Sequence, residues 1–154
     1  MKLIADSGAT KTDWCYGSAD QHQIIQTQGI NPFHQSAETI SLILSEELIP
    51  QLACRTLITH IFFYGAGCTP EKAKIVRTAL QTFFPQATIC VESDLLGAAR
   101  SLCGREQGIA CILGTGSNSC EYDGEKITSN ISPLGYILGD EGSGAVLGKR
   151  LVGD

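Results

Sequence analysis

What the sequence lacks narrows the reading first. No unbroken apolar run reaches membrane-spanning length, and Met1-Lys2-Leu3-Ile4-Ala5-Asp6 turns polar before a secretory core could form. The seven cysteines (15, 54, 68, 90, 103, 111 and 120) contain no CxxC pair, and His22, His34 and His60 stand at no zinc-ligand spacing from them. Several, such as Cys90 and Cys111, lie in apolar strand-like runs. That pattern predicts buried thiols in a reducing cytosol, with neither a disulfide framework nor a metal held by Cys and His. Basic residues are also scarce: 11 Lys and Arg face 16 Asp and Glu, for a formal net charge of −5. Nucleic acid and anionic membrane are therefore poor partners. At 18% charged and 43% hydrophobic, the 154 residues are no disordered tail and suffice to bury a core. A soluble cytoplasmic protein is expected.

Glycine, by contrast, is plentiful: 17 of 154 residues, about 11% against a norm near 7%. Its placement follows from the predicted elements. Leu3 to Asp6, Thr12 to Tyr16 and Gln23 to Gln28 read as short strands, the last two separated by a turn at Gly17-Ser18-Ala19-Asp20. Ser36 caps a predicted helix with Ile40, Ile43, Leu44 and Leu48 on one face, which Pro50 ends or kinks. Leu57 to Tyr64 reads as a strand covered on both faces, broken by Gly65-Ala66-Gly67. Thr69-Pro70-Glu71 opens a helix carrying Ala73, Val76, Leu80 and Phe83, and Pro85 closes it. A strand over Ala87 to Val91 and a helix from Ser93-Asp94 through Leu102 complete a β-β-β-α-β-α-β-α order, an α/β layer architecture. Beyond Gly104, Ile109 to Leu113 is a strand, Asn118 to Tyr122 and Lys126 to Thr128 form a hairpin around Asp123-Gly124, and five glycines fall between Gly135 and Gly148. A strand, a glycine turn and a second strand occur at Asp6 and again at Gly114, as in a duplicated architecture.

Four segments carry chemistry, and each has a plain structural alternative. Asp6-Ser7-Gly8-Ala9-Thr10-Lys11-Thr12 lacks the Walker A spacing and no helix follows it. Its small residues allow backbone N–H groups to close around phosphate oxygens, and an acid at the strand end can hold Mg²⁺ through its water shell. It is equally the composition of a hairpin turn. Gly114-Thr115-Gly116-Ser117-Asn118-Ser119 misses the dinucleotide fingerprint; it suits a second phosphate loop or a glycine-rich bend. Glu92-Ser93-Asp94 stands where a strand meets a helix, a place for a general base or for an ordinary helix cap. Gly139-Asp140-Glu141-Gly142-Ser143-Gly144 offers acids to a polyhydroxyl ligand or to the positive end of a helix.

In this order the four motifs resemble the sugar kinase branch of the actin/Hsp70/hexokinase superfamily, and more closely the N-acetylglucosamine kinase and BadF/BadG/BcrA/BcrD ATPase family. The resemblance spans all 154 residues. It implies two ribonuclease-H-like lobes with ATP and substrate in a cleft between them. By that resemblance, residues 1–105 are the first lobe and residues 106–154 the start of a similar second one. It further implies that Thr10 contacts the ATP phosphates, that Asp6 stands near Mg²⁺, and that Gly8, Lys11 and Thr12 complete the first phosphate loop. Gly114, Thr115 and Gly116 form the second loop. Asp94 contacts the sugar and is the general base, and Asn31, Ser117, Asn118, Gly135 and Asp140 hold the sugar. The implied reaction is ATP-dependent phosphorylation of an amino sugar, most closely N-acetylglucosamine, by in-line transfer. The partner is then a small-molecule sugar, without nucleic acid or membrane, and a homodimer is compatible with it.

The chain departs from the family pattern in three places. Ser7 and Ala9 replace glycines often found in the first loop, which narrows the backbone approach. Tyr136 stands where a Trp is common. The chain stops inside the helix after Asp140, where family members continue through a complete second lobe. Two other readings follow from the same motifs. One is an ATPase activator of a 2-hydroxyacyl-CoA dehydratase-type enzyme, with Cys68 and Cys103 as the only candidate iron–sulphur ligands. The other is a sugar-binding module without turnover.

Overall fold

Strand β1 (Lys2–Ser7) alternates: Leu3, Ala5 and Ser7 are buried while Lys2, Ile4 and Asp6 face outward. Its neighbour β2 (Lys11–Gly17) repeats the alternation with Thr12, Trp14 and Tyr16 inward, and β3 (His22–Gln28) buries Ile25 and Thr27. These strands, β4 (His60–Gly65) and β5 (Thr88–Ser93) form one sheet in the order β3-β2-β1-β4-β5. β1, β2 and β3 are antiparallel, whereas β4 and β5 run parallel to β1. This is the ribonuclease-H-like arrangement of an actin-like lobe. The computed structural model describes residues 1–17 and 21–153. Residues 18–20 of the expected turn, and Asp154, lie outside the described residues. Two compact units result, Met1–Asp94 and Leu95–Asp154.

In the first unit, helices α1 (Ala37–Ile43) and α2 (Ala73–Phe83) cover the inward face of the sheet. Ile40, Leu44, Leu48, Val76 and Leu80 pack there with Leu3, Trp14, Ile61 and Phe63, all fully buried. Trp14 and Phe63 meet at 5.7 Å in a tilted geometry, and Trp14 Nε1 donates to Thr27 Oγ1 at 3.0 Å, so the one polar atom of the indole is satisfied inside the core. Ser36 caps α1 as its sequence predicts, accepting the Thr39 N–H.

Several boundaries differ from expectation, each for a local reason. α1 changes pitch before Pro50 rather than running up to it. A π-type turn over Leu44–Leu48 lets the Ile49 N–H reach the Leu44 carbonyl, and a 3-10 turn over Ile49–Gln51 follows, because Pro50 has no N–H to continue the α ladder. Leu57 is exposed in a 3-10 turn (Arg55–Leu57), so β4 starts only at His60, and it buries one face rather than two. Regular α2 starts at Ala73, although Thr69 already caps the preceding turn, its hydroxyl accepting from Lys72 N–H at 3.4 Å. Phe84 and Pro85 follow the last turn of α2, as expected.

The second unit contains most of α3 (Asp94–Cys103) and an antiparallel sheet of β6 (Gly108–Leu113), β7 (Ser117–Tyr122) and β8 (Ile127–Ile131). Leu95 and Ala99 of the helix pack on Ala110, Cys120 and Tyr122 of the sheet. The three strands repeat the meander of β1–β3, again with a glycine turn at the first corner. Asp123 builds the second corner: its Oδ1 accepts the N–H groups of Glu125 and Lys126 at 2.9 and 2.8 Å, which holds its carboxyl below the usual range, and Gly124 takes φ +100°. The glycine-rich segment becomes a short helix α4 (Gly135–Leu138) and a longer α5 (Gly144–Gly153). The cysteine expectation holds in part. Cys68 and Cys120 are buried, Cys90 is half-buried, but Cys111 is exposed because Ala110 takes the inward position beside it. Among the described residues, no helix is long and apolar enough to cross a membrane.

Ser7 locks the edge of the first sheet. Its side chain is fully buried, so it does not narrow the loop as its replacement of a glycine suggests. Ser7 Oγ accepts the Ile30 N–H at 3.0 Å, reaches the Ile30 carbonyl at 3.0 Å and lies 2.6 Å from Thr12 Oγ1, while Thr12 donates to the Gln28 carbonyl at 3.2 Å. Ser7 also accepts the Ala66 N–H on its carbonyl at 2.9 Å. Ser7→Ala leaves the buried Ile30 N–H without its acceptor, and is expected to cost about 1–3 kcal/mol in denaturant unfolding.

Candidate functional site

The parallel pairing sets the first half of the candidate site. Ser7, Gly65 and Ser93 share one row across β1, β4 and β5, and Asp6, Tyr64 and Glu92 the row before it. The residues that leave the sheet next are Gly8, Ala66 and Asp94. The carboxyl ends of parallel strands are where α/β sheets expose their loops to ligands. Asp6, the first glycine loop and Asp94 therefore meet on one edge, with Asp6 and Glu92 two strands apart, about 10 Å between backbones.

The first loop, Gly8 to Thr10, is exposed, and its ends are fixed: Gly8 N–H bonds the Lys11 carbonyl at 3.0 Å, and Gly29 N–H the Thr10 carbonyl at 3.1 Å. The N–H groups of Ala9 and Thr10 bond to no other described residue, so they remain as donors. That is the make-up of an oxyanion cradle. Lys11 is exposed and paired with Asp13 at 2.8 Å, and that bond, with one from Gln26, lowers the Asp13 carboxyl. Thr12 belongs to the frame of the hairpin, because its hydroxyl is buried and committed. Asp6 is exposed on the opposite face of β1, beside Asp13 across the strand pair. A hard divalent cation that keeps its waters suits such a carboxylate.

Asn31 reaches the same edge through its neighbours. Its Oδ1 accepts the Phe33 N–H at 2.9 Å and its own N–H donates to Gln35 Oε1 at 2.8 Å. Gly67 backs it at φ +76°, where an added Cβ would lie 2.4 Å from Asn31 Oδ1 and 2.7 Å from the Phe33 ring. Phe33 itself is 55% exposed, with Lys72 Nζ 5.6 Å from its ring centre. Sequence reasoning passed over Phe33 and gave Gly67 only the role of a strand breaker. The adjacent Asn-Pro-Phe and the glycine pair after β4 were the available signals. Beneath Asp94, Cys68 is buried; burial, then the charges of Asp94 and Glu92, push its thiol up to about 12.

The second unit gathers the other motif residues. Gly114, Thr115 and Gly116 form the corner between β6 and β7, closed by Gly114 N–H to the Gly116 carbonyl at 2.9 Å. The N–H that opens α5, at Gly144, bonds the Gly114 carbonyl at 2.8 Å. Neither Thr115 nor Gly116 spends its N–H on another described residue. Asp140 lies against this corner: a Cβ on Gly116 would come within 3.0 Å of Asp140 Oδ2. Asp140 adopts φ +65°, the one non-glycine at positive φ among the described residues, and its Oδ1 is buried without a partner. The cap of α5 is Ser143, whose Oγ accepts the Val146 N–H at 3.2 Å, so Asp140 is free of the capping role its sequence also allowed. A cavity of about 370 Å³ is lined by Ser117, Asn118 and Asp140 with Cys111, Leu113 and Ile131. Gly135 stands outside this lining, at the start of α4, and Tyr136 is half exposed with Lys149 Nζ 5.5 Å from its ring. A larger groove of about 480 Å³ between α1 and α2 contains none of the motif residues. Among the described residues no cluster of three His, Cys, Asp or Glu side chains could hold a metal by itself.

Three outcomes follow from this geometry. Gly67→Ala forces an L-residue into a left-handed conformation and a methyl into Asn31, and should destabilise the first unit by about 1–3 kcal/mol, read by denaturant unfolding. Cys68 should resist iodoacetamide at pH 8 roughly 10³-fold more than the exposed Cys54 and Cys111, as resolved by peptide mass spectrometry. Because its folded value is raised, the stability it carries is present below the ordinary thiol range near 9 and falls as pH climbs towards 12.

No protein-family model matches the sequence, and no curated protein matches it. Solved structures do. A protein of Porphyromonas gingivalis provisionally named N-acetylglucosamine kinase is 54% identical over 99% of the chain and superimposes with a TM-score of 0.95. A protein of Chromobacterium violaceum under the same provisional name is 22% identical over 97% of the chain, with a TM-score of 0.66, a likeness of fold. The chain spans 55% of the first and 54% of the second, about half the length of each. Through the first of these, which it matches over 99% of its own length, the chain has the actin-like ATPase fold and is similar to about half of a protein provisionally named N-acetylglucosamine kinase.

Proposed function

We propose that the protein phosphorylates an N-acetylated amino sugar, most closely N-acetylglucosamine, at the expense of ATP. The observation that carries this reading is Asp140. A non-glycine residue held at positive φ costs of the order of 1–3 kcal/mol, and a buried carboxylate oxygen without a partner adds to that cost. Such an expense is sensible where a ligand hydroxyl or amide N–H supplies the missing donor. The rest of the cavity supports the same ligand class, because Ser117 and Asn118 offer polar groups while Leu113 and Ile131 offer an apolar wall for a methyl. The provisional name of the Porphyromonas gingivalis protein, 54% identical, agrees with this substrate.

The roles then divide as follows. Thr10 and the free N–H groups of the first loop hold phosphate oxygens, as do Gly114, Thr115 and Gly116 of the second. Gly8 permits the turn, and Lys11 and Thr12 brace it through Asp13 and Ser7. Asp6 would hold Mg²⁺ through its waters; when bound, the ion neutralises charge on the transferring phosphate. Asp94 takes the proton of the attacking sugar hydroxyl, which must leave as the oxygen–phosphorus bond forms. Asn31, Ser117, Asn118 and Asp140 orient the sugar, with Phe33 beside Asn31 as a flat apolar surface for the ring. Gly135 is the weakest member of the set.

The test is ATP-dependent phosphorylation by the complete gene product across N-acetylglucosamine, glucosamine and glucose. N-acetylglucosamine should turn over best. Asp94→Asn should lower kcat about 10²–10⁴-fold with the fold intact by circular dichroism. Undiminished turnover in that variant removes Asp94 as the base, and failure with every sugar removes the reading.

A further inference from the structure

Asn118 and Asn130 form a pair of amides whose orientation is dictated by the backbone. Asn118 Oδ1 accepts the N–H of Ser119 at 2.9 Å. A backbone N–H only donates, so the oxygen of the amide must lie there, not the nitrogen. Asn130 Nδ2 donates to the Ser119 carbonyl at 2.7 Å, and a carbonyl only accepts, so this second amide is oriented as well. The same nitrogen gives its other proton to Asn118 Oδ1 at 2.8 Å. The register explains the meeting: Asn130 on β8 pairs with Cys120 on β7, which places it diagonally from Asn118 on one face. Asn118 Oδ1 therefore accepts two donors, and the polar group this side chain has left for a ligand is Nδ2. Asn130 is not part of the cavity lining.

We propose that Asn130 is a positioning residue that fixes the Asn118 amide so that it meets the substrate as a hydrogen-bond donor. The sugar group it selects is an acceptor oxygen, either of a hydroxyl or of the acetamido carbonyl. This rests on the reading of Asn118 as a sugar contact. A carboxylate at position 130 opposes that orientation, since two acceptor oxygens repel. It competes with the Ser119 N–H for the amide and draws Nδ2 away from the sugar.

Two measurements on the complete gene product test this. Without sugar, the side-chain amide resonances of Asn118 in ¹⁵N spectra should move in Asn130→Asp. In steady-state kinetics, that variant should raise the KM for N-acetylglucosamine about tenfold, equivalent to about 1.4 kcal/mol, with kcat and the KM for ATP within about twofold. Asn130→Ala should raise it less, because Ser119 still holds the oxygen. In an Asn118→Ala background, Asn130→Asp should add nothing further. Unmoved resonances, an unchanged KM for the sugar, or an effect that adds in full to that of Asn118→Ala overturns the positioning role. An unchanged sugar KM in Asn118→Ala overturns the sugar contact instead, and Asn118 resonances that move in Asn130→Asp mark that failure as distinct.

Discussion

One buried hydroxyl organises the first half of this molecule. Ser7 sits at the last position of β1, where the strand must hand over to an exposed loop, and its side chain faces a core that offers no water. It finds partners on the segment that follows β3, at Ile30, and on β2, at Thr12, while its carbonyl takes the N–H of Ala66 after β4. Two chain segments that leave the sheet, and the start of β2, are thereby fixed to one point. Asn31 follows Ile30 directly, and Gly67 follows Ala66, so the tight packing of Asn31 on Gly67 is a consequence of the same anchor. The loop before β2 can then remain exposed with free N–H groups because its two ends do not depend on them.

The same division of labour recurs in the second unit with different atoms. There the corner between β6 and β7 is closed by a backbone bond within the loop and by the first N–H of α5, while Ser143 caps that helix from a buried position. Once the cap is satisfied, Asp140 is left over. It is neither a capping acid nor a surface acid, and its strained backbone and unpartnered oxygen are tolerated because Gly142 and Ser143 hold the turn around it.

Much of this was legible in the sequence, and the reasons differ by element. Strand alternation and helix periodicity are enforced by burial, so Leu3 to Asp6 and the apolar face of Ile40, Ile43, Leu44 and Leu48 could be read directly. The glycine loops were legible as loops because φ freedom and small side chains leave a compositional trace. What escaped was tertiary. Nothing local marks Ser7 as an inward-facing residue of a different kind from the glycine it replaces. Thr12 looks like a loop hydroxyl and is a core one, because strand pairing begins one residue before it. Cys111 looks buried in an apolar run, yet β6 buries only alternate positions. Gly29, whose missing Cβ admits the carbonyls of Gly8 and Ala9 at 2.7 Å, lies far from the loop in sequence and gave no signal at all.

A carboxamide is ambiguous by itself, since it can donate or accept with nearly the same shape. Asn31 and Asn118 both lose that ambiguity in the same way: a backbone N–H, from Phe33 in one case and Ser119 in the other, claims the oxygen. Each is turned into a donor before any ligand arrives. Asp140, with an oxygen to spare, is an acceptor. In the second unit, the cavity lined by Asn118 and Asp140 sets a fixed donor with a fixed acceptor, and such a pair discriminates by mismatch, because a ligand that presents the wrong group leaves a polar atom unpaired. Hydroxyls, which can do either, tolerate such a site, whereas an acetamido group, with its carbonyl and N–H on opposite sides, satisfies it in one orientation only. If that cavity holds the sugar as proposed, its selectivity arises from the hydrogen bonds that orient the Asn118 amide, and depends less on the number of polar side chains that line it.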